Sequence, residues 1–211
     1  MSELFVLTQR PSIYLASKSP RRQELLRQLG VEFEELRLRE APGRRRDFVE
    51  ALHKDERPLE YVKRIARTKA AVGWHRMGRR GLTPRPVLAA DTEVVVDGAV
   101  LGKPEDAAGA IAMLEGLSDR THDVITAVAV RWNTKIMLAV STSRVAFRAL
   151  NRDEIERYVA TGEPFDKAGG YAIQGRGAVF IRHLDGSYSG VMGLPLFETA
   201  EILQKIGYYV L

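Results

Sequence analysis

Apolar residues recur along the chain with two different periods, and each change of period marks an element. Ile13 to Ser17 (IYLAS) is a short apolar run and reads as a buried strand. Ser19 follows as a helix N-cap, with Pro20 at the first helical position. Leu25, Leu26 and Leu29 then share one face, and Gly30 stops the helix. Residues 31–57 are polar, then acidic, then arginine-rich around Pro42 and Gly43, which predicts a loop with room for a short helix. From 59 to 76 the spacing is helical: Leu59, Val62, Ile65, Ala66, Lys69, Ala70. GRRGLTPRP makes a second loop. Val87–Asp91 (VLAAD) reads as a strand, and Glu93–Val100 holds Asp97-Gly98, a hairpin signal. Pro104 opens a helix over 105–116.

Thr121–Trp132 and Lys135–Phe147 are long apolar stretches joined by Asn133-Thr134, and they predict an antiparallel pair. Asn151, with Glu154 three residues later, is a capping-box start for a helix ending near Gly162. Ala178–Leu184 and Tyr188–Met192 flank Asp185-Gly186, a second hairpin signal. Pro195 to Ile206 is a last helix stopped by Gly207. Several hairpins among the helices exclude a purely parallel sheet, so the class is α/β or α+β with hairpins at the sheet edge. No internal repeat, low-complexity tract or long linker divides the chain. A chain of 211 residues buries roughly 70% of its unfolded surface, enough for one sizeable core.

Composition narrows the function classes. With 45% hydrophobic and 28% charged residues the chain reads as a soluble globular protein. Its longest apolar runs, such as Ile125 to Val130, fall far short of the roughly 20 residues a spanning helix needs. No cysteine is present, which excludes a disulfide scaffold, thiolate zinc, iron–sulfur clusters and a cysteine nucleophile. MSELFVLTQRPS lacks the pattern of a secretory signal, so a cytoplasmic protein with no membrane partner is expected. The net charge of +5 comes from 24 arginines against 8 lysines, and 12 of the arginines lie between Arg37 and Arg85. A basic surface attracts polyanions. That cluster has no interleaved aromatic residues for base stacking, so it reads as a solvated face and no nucleic-acid partner is expected.

Three segments carry candidate chemistry. In Ser17-Lys18-Ser19-Pro20-Arg21-Arg22 a strand runs into a helix N-terminus with free N–H groups. Two hydroxyls and two guanidiniums there form a phosphate cradle, or else a capping serine with two exposed arginines. Asp91 follows directly from an apolar strand. Acidic residues in that place hold divalent metals or activate water, although one capping a turn looks the same. Lys103, in Gly102-Lys103-Pro104, again puts a cation before a helix start. Asp166 to Gly175 (DKAGGYAIQG) is glycine-rich without Walker or dinucleotide spacing. Gln174 there can read a base edge, against a purely structural loop. The four histidines show no zinc spacing or triad, and His122 reads as structural. Trp74 and Trp132 read as packing residues.

Taken in order, YLASKSPRRQELLRQLG, YVKRIARTKA, AADTEVVVDGAVLGKP, THDVITAVAV, FDKAGGYAIQG and GSYSGVMGLPLFETAEIL resemble the Maf family, from about residue 12 to 206. Members of that family are nucleoside triphosphate pyrophosphatases linked to septum formation and nucleotide housecleaning. The DKAGGYAIQG segment is similar to the dTTP/UTP branch and differs from the 7-methyl-GTP branch. The resemblance implies an α/β fold of Maf/ITPase-like type. The implied fold is a single domain over 1–211, with a mixed elongated sheet flanked by helices and two lobes around a deep cleft. It implies hydrolysis between the α- and β-phosphates with a divalent metal, Mg²⁺ or Mn²⁺.

Roles carry over by position. Asp91 matches the proton acceptor and is the expected metal ligand. Ser17, Arg22, Lys69 and Lys103 match phosphate-binding positions. Arg21, Thr92 and Gln174 match positions that set base preference. Residues 36–58 depart most from the family pattern, and Glu40 is the nearest match to an acidic residue near the metal. The partner is then a nucleoside triphosphate, and a homodimer is open because the family often forms one. The competing readings are a 7-methyl-GTP pyrophosphatase, a division-associated nucleotide-binding protein that has lost turnover, and a nucleic-acid module resting on basic charge alone.

Overall fold

The two longest apolar stretches form the middle of one sheet. In a computed structural model, which describes residues 12–38 and 50–210, β5 (Thr121–Trp132) and β6 (Lys135–Phe147) pair antiparallel from Thr121↔Ala146 to Trp132↔Lys135. β3 (Val87–Val96) pairs antiparallel with the other side of β5. β1 (Ile13–Leu15) and β2 (Phe33–Glu35) extend the sheet in parallel beyond β3. β4 (Ala99–Val100) folds back on β3 across Asp97 and Gly98, both at positive φ (51° and 77°), the pairing of a tight two-residue hairpin. β7 (Ile181–Asp185) adds to β6. The order is β2-β1-β3-β5-β6-β7, with β4 beside β3.

Helices cover both faces. α1 (Pro20–Gln28) starts at Ser19, whose Oγ accepts from the Arg22 N–H at 3.4 Å. α2 (Pro58–Arg79) lays Val62, Ile65, Ala66 and Ala70 against Val87, Ala89, Ile125, Ala127 and Ala129. Strand alternation turns Leu88, Ala90, Val128 and Val130 to the opposite face. There they meet Leu25 and Leu26 of α1 and Ile202 and Leu203 of α6 (Leu196–Gln204). At the other end of the sheet Val94, Val124, Val145 and Phe147 pack with α3 (Ala107–Leu117) and α4 (Arg152–Val159) through Leu114, Leu117, Ile155 and Tyr158. The α4 capping box is complete: Asn151 accepts from Glu154 N–H at 2.9 Å, and Glu154 accepts from Asn151 N–H at 2.7 Å. Among the described residues, no helix is long and apolar enough to cross a membrane.

The structure corrects three local expectations. Tyr188–Met192 is a short helix, α5, and not a strand paired across Asp185-Gly186. Ser187 Oγ caps it by accepting from Gly190 N–H at 2.9 Å, and β7 takes β6 as its partner instead. The stretch 31–57 includes the short strand β2, held by β1. The run expected to be a strand from Ala178 begins only at Ile181, because Arg176–Phe180 is a 3₁₀ turn.

One feature of the sheet places the site. β1 pairs with β3 only at Val87 and Leu88, ending with Ala16 N–H donating to Leu88 O at 2.8 Å. β4 pairs with β3 only at Val95 and Val96, with Leu101 N–H reaching back to Val94 O. Between them, among the described residues, residues 89–93 have a neighbouring strand on the β5 side alone.

Candidate active site

A cavity of about 570 Å³ opens along that single-sided stretch of β3. All eight residues singled out from the sequence line it. Ser17 comes from the turn after β1, Arg21 and Arg22 from α1, and Lys69 from α2. Asp91 and Thr92 come from β3, Lys103 from the loop before α3, and Gln174 from the glycine-rich segment.

The deepest pair is Asp91 and Lys69. Lys69 lies three and four residues from Ala66 and Ile65, inside the apolar stripe of α2, so the helix aims it at the sheet. Its Nζ donates to Asp91 Oδ1 at 2.8 Å and also pairs with Glu50. Asp91 is 6% exposed. Its Oδ2 is buried and has no hydrogen-bond partner among the described residues, and neither has Glu93 Oε2. Burial, with Asp91 adding, pushes the Glu93 carboxyl up to about 8. Burial pushes Glu50 the same way, but Lys69 outweighs it, with Lys103 and Arg22 adding, and the carboxyl stays below its ordinary value.

Arg22 is held from three sides. Nε donates to Gly193 O at 2.8 Å, Nη1 to Ser17 Oγ at 3.3 Å and Nη2 to Thr92 Oγ1 at 3.1 Å. Burial, with Arg21 adding, lowers its pKa against Asp91, Glu50 and Glu93, which raise it. Behind Thr92 lies Thr126, fully buried, with Oγ1 2.7 Å from Gly190 O and 3.0 Å from Thr92 Oγ1. A carbonyl only accepts, so the single Thr126 proton goes to Gly190. The Thr92 proton then goes to Thr126, and Thr92 Oγ1 accepts from Arg22. The Thr92 hydroxyl thereby helps to orient the Arg22 guanidinium.

Arg21 donates to Asp166 Oδ2 at 2.7 Å, so a protein carboxylate answers one of the two cations at the start of α1. Asp166 belongs to the segment that carries Gln174. Gly169 N–H donates to Gly102 O at 2.8 Å and ties that segment to the Lys103 loop. Glu163 accepts from the Tyr158 hydroxyl (2.9 Å) and from the N–H groups of Arg176 and Gly177 (both 3.1 Å). His122 Nε2 lies 2.8 Å from the Tyr171 hydroxyl. So DKAGGYAIQG is an anchored segment with a 3₁₀ turn at Ala168–Gly170, and His122 is structural, as its place in the sequence suggested. Gln174 itself is exposed at the rim, with no hydrogen bond holding its amide among the described residues.

Sequence reasoning passed over Glu50, Glu93, Asp166 and Lys167, all of which line the cleft. Glu40, the nearest match to an acidic residue near the metal, lies outside the described residues, and Glu50 pairs with Lys69. Glu93 carried a usable signal, as the second acid on one face of an otherwise apolar strand. A second hollow of about 590 Å³ beside Asp97, Asp123 and Asp185 contains none of the candidate residues.

Fold and cleft together define an α/β protein with a cation-rich cleft built around a buried carboxylate. Residues 12–206 match the family model described as Maf-like protein, and the chain belongs to that family. It is 51% identical over 198 residues to a protein of Nitrosomonas europaea named dTTP/UTP pyrophosphatase, covering 94% of this chain and 96% of the relative. A protein of the same name from Aromatoleum aromaticum is 53% identical over 197 residues, covering 93% and 96%. A third, from Burkholderia pseudomallei, is 54% identical over 196 residues, covering 92% and 93%.

Proposed function

We propose that this chain hydrolyses dTTP and UTP, and modified pyrimidine triphosphates of similar shape, to the nucleoside monophosphate and pyrophosphate. Its place is then the nucleotide pool of the cytoplasm. The relatives' shared name supports this reading over nearly the whole chain. The observation that carries it is the convergence on one cleft of Asp91, four phosphate-binding positions and a rim glutamine from six separate segments.

In the proposed reaction water attacks the α-phosphorus, the bond from it to the α–β bridging oxygen breaks, and pyrophosphate leaves. Lys69 holds Asp91 Oδ1, which leaves Oδ2 to take the water's proton. Arg22, Lys69 and Lys103 meet the charge that grows on the leaving pyrophosphate. Arg22 is held in place by three acceptors, so little reorganisation is needed when that charge develops. Ser17 donates to a phosphate oxygen. The Gln174 amide offers a donor and an acceptor to the imide edge of thymine or uracil.

A divalent cation, Mg²⁺ or Mn²⁺, fits these residues. Asp91 Oδ2 is a buried hard donor with no other partner among the described residues. Among those residues no three acidic or histidine side chains stand ready as a cage, and Mg²⁺ is ordinarily held by one or two carboxylates plus substrate phosphates. Asp91 would hold the ion, which offsets phosphate charge and activates water when bound.

The test is pyrophosphate release with Mg²⁺ from dTTP, UTP, CTP, 5-methyl-UTP, 7-methyl-GTP, dITP, ATP and GTP, with Asp91→Asn as control. Pyrimidine-selective release that falls by about 10² or more in the variant is expected. Release from 7-methyl-GTP alone would overturn the branch. No release from any triphosphate, with Mn²⁺ also tried, would leave a nucleotide-binding protein.

A further inference from the structure

We propose that Glu93 is a cation ligand, its Oε2 and the Asp91 Oδ2 together holding the divalent ion on which the phosphates rest. The inference builds on the reading of the cleft as a triphosphate site. Nothing in the chain's similarity to its relatives assigns Glu93 a role.

Asp91 and Glu93 are two residues apart on β3, so both side chains leave the same face of the strand, and both line the cleft. Each presents one buried oxygen with no hydrogen-bond partner among the described residues. The Asp91 side chain is only 8% exposed, so bulk solvent does not serve its open oxygen. An unserved buried acceptor is costly. Lys69 is on Asp91 Oδ1 and Glu50, and Arg22 is on Gly193, Ser17 and Thr92. Two hard oxygens on residues that line one cavity suit a hard cation.

Reach also agrees. The two Cα atoms lie about 7 Å apart along the strand, and the extra methylene of glutamate lets its carboxylate lean back toward Asp91. A carboxylate oxygen offers two acceptor positions, so an ion on Asp91 Oδ2 leaves one for the water's proton. Two carboxylates, phosphate oxygens and waters complete the octahedral shell that Mg²⁺ or Mn²⁺ prefers.

The experiment uses the full chain, Mn²⁺ and the non-hydrolysable α,β-methylene analogue of UTP. Free Mn²⁺ is followed by electron paramagnetic resonance, and melting is recorded with and without the ion. Wild type should bind Mn²⁺ in the presence of the analogue. Glu93→Gln should weaken that binding by about tenfold or more, since even indirect supports of a metal ligand cost that much. Its melting temperature without metal should equal or exceed that of wild type, and the Mn²⁺-induced rise should shrink. Glu93→Asp, which shortens the reach, should weaken Mn²⁺ as well and serves if the amide variant does not fold. Unchanged Mn²⁺ affinity in a folded Glu93 variant overturns the proposal. So does a lower metal-free melting temperature with the Mn²⁺ response intact, because Glu93 is then a structural residue. Wild type that binds the analogue without Mn²⁺ overturns the cation site and leaves the nucleotide reading standing. Glu93-dependent Mn²⁺ binding with no analogue binding does the reverse.

Discussion

Thr126→Val removes one hydroxyl from the file Arg22–Thr92–Thr126–Gly190 and keeps the side-chain shape. Thr126 is fully buried, so the new methyl brings no water with it. Two groups lose a partner, but neither is stranded. Gly190 O still accepts from Gly193 N–H at 3.1 Å. Thr92 lines the cleft, where water can take its proton. The penalty therefore sits at the low end for a broken buried hydrogen bond, about 1–2 kcal/mol. Urea unfolding should show that loss as a lower midpoint with an unchanged slope. The second effect falls on the site. Thr92 loses the acceptor that fixed its rotamer, and Arg22 Nη2 loses a fixed target, while its bonds to Gly193 and Ser17 remain. The kcat/KM for dTTP should drop about tenfold, equivalent to about 1.4 kcal/mol of transition-state stabilisation. Lower stability with unchanged kcat/KM would refute the claim that Thr126 positions Arg22 through Thr92. Unchanged stability would refute the hydrogen-bond file itself.

Three further outcomes are expected. Gly169 sits at φ +70°, and a Cβ there would lie 2.8 Å from Val94 Cγ2. Gly169→Ala should therefore cost about 2–4 kcal/mol in urea unfolding from the left-handed backbone and the crowding together, and a loss under about 0.5 kcal/mol would mean the segment shifts freely off Val94. Gln174→Glu removes the amide donors at the rim, so dTTP and UTP turnover should fall more than that of the other triphosphates; an equal loss across the panel would make Gln174 structural. Burial, with Arg120 adding, holds His122 at about 4 against an ordinary 6.5. The unfolded ring takes up a proton below pH 6.5 while the folded ring does not, so this contribution is full above pH 6.5 and declines by up to about 3 kcal/mol as pH falls to 4. Unfolding of wild type and His122→Gln between pH 7 and 4 checks it, and a difference that does not vary with pH would refute it.

Much of this was legible because local chemistry and global packing agree. Ser19-Pro20, Asp97-Gly98 and the Asn151–Glu154 box act within four residues, and each marks a real boundary. Lys69 stands inside the helical spacing of 59–76, and Asp91 stands directly after the apolar run from Val87. Such a charge must meet a partner in the interior, and they meet each other. Tyr188–Met192 was misread because aromatic and β-branched residues suit a strand, while the decision rested on the Ser187 cap and on β6 already having β7 as its edge partner. β2 could not be read from three residues, because its order comes from β1. Glu50 and Asp166 are charges on irregular backbone, where no period exists to violate. Only the contacts with Lys69 and Arg21, at distances of 19 and 145 residues along the chain, single them out.

The position of the cleft follows from strand lengths. β3 has ten residues and β1 only three, so β1 turns into α1 while β3 continues. An unpaired strand edge ordinarily invites unwanted pairing. Here α1, the Lys103 loop and the glycine-rich segment wall it in, and the space between them becomes the cavity. At an open edge the side chains from both faces of a strand border the same space. That is why Asp91 and Glu93, from the face covered by α2, share a cavity with Thr92 and Val94 from the other face. The carboxylates lie deep, and Gln174 stands exposed at the rim. In the proposed reaction the phosphates therefore enter first, past Arg22 and Lys103, and the base stays outermost. Turnover should then depend on the buried pair and base choice on the rim, so substitutions at Lys69 should lower the rate for every triphosphate alike while those at Gln174 reorder the substrates.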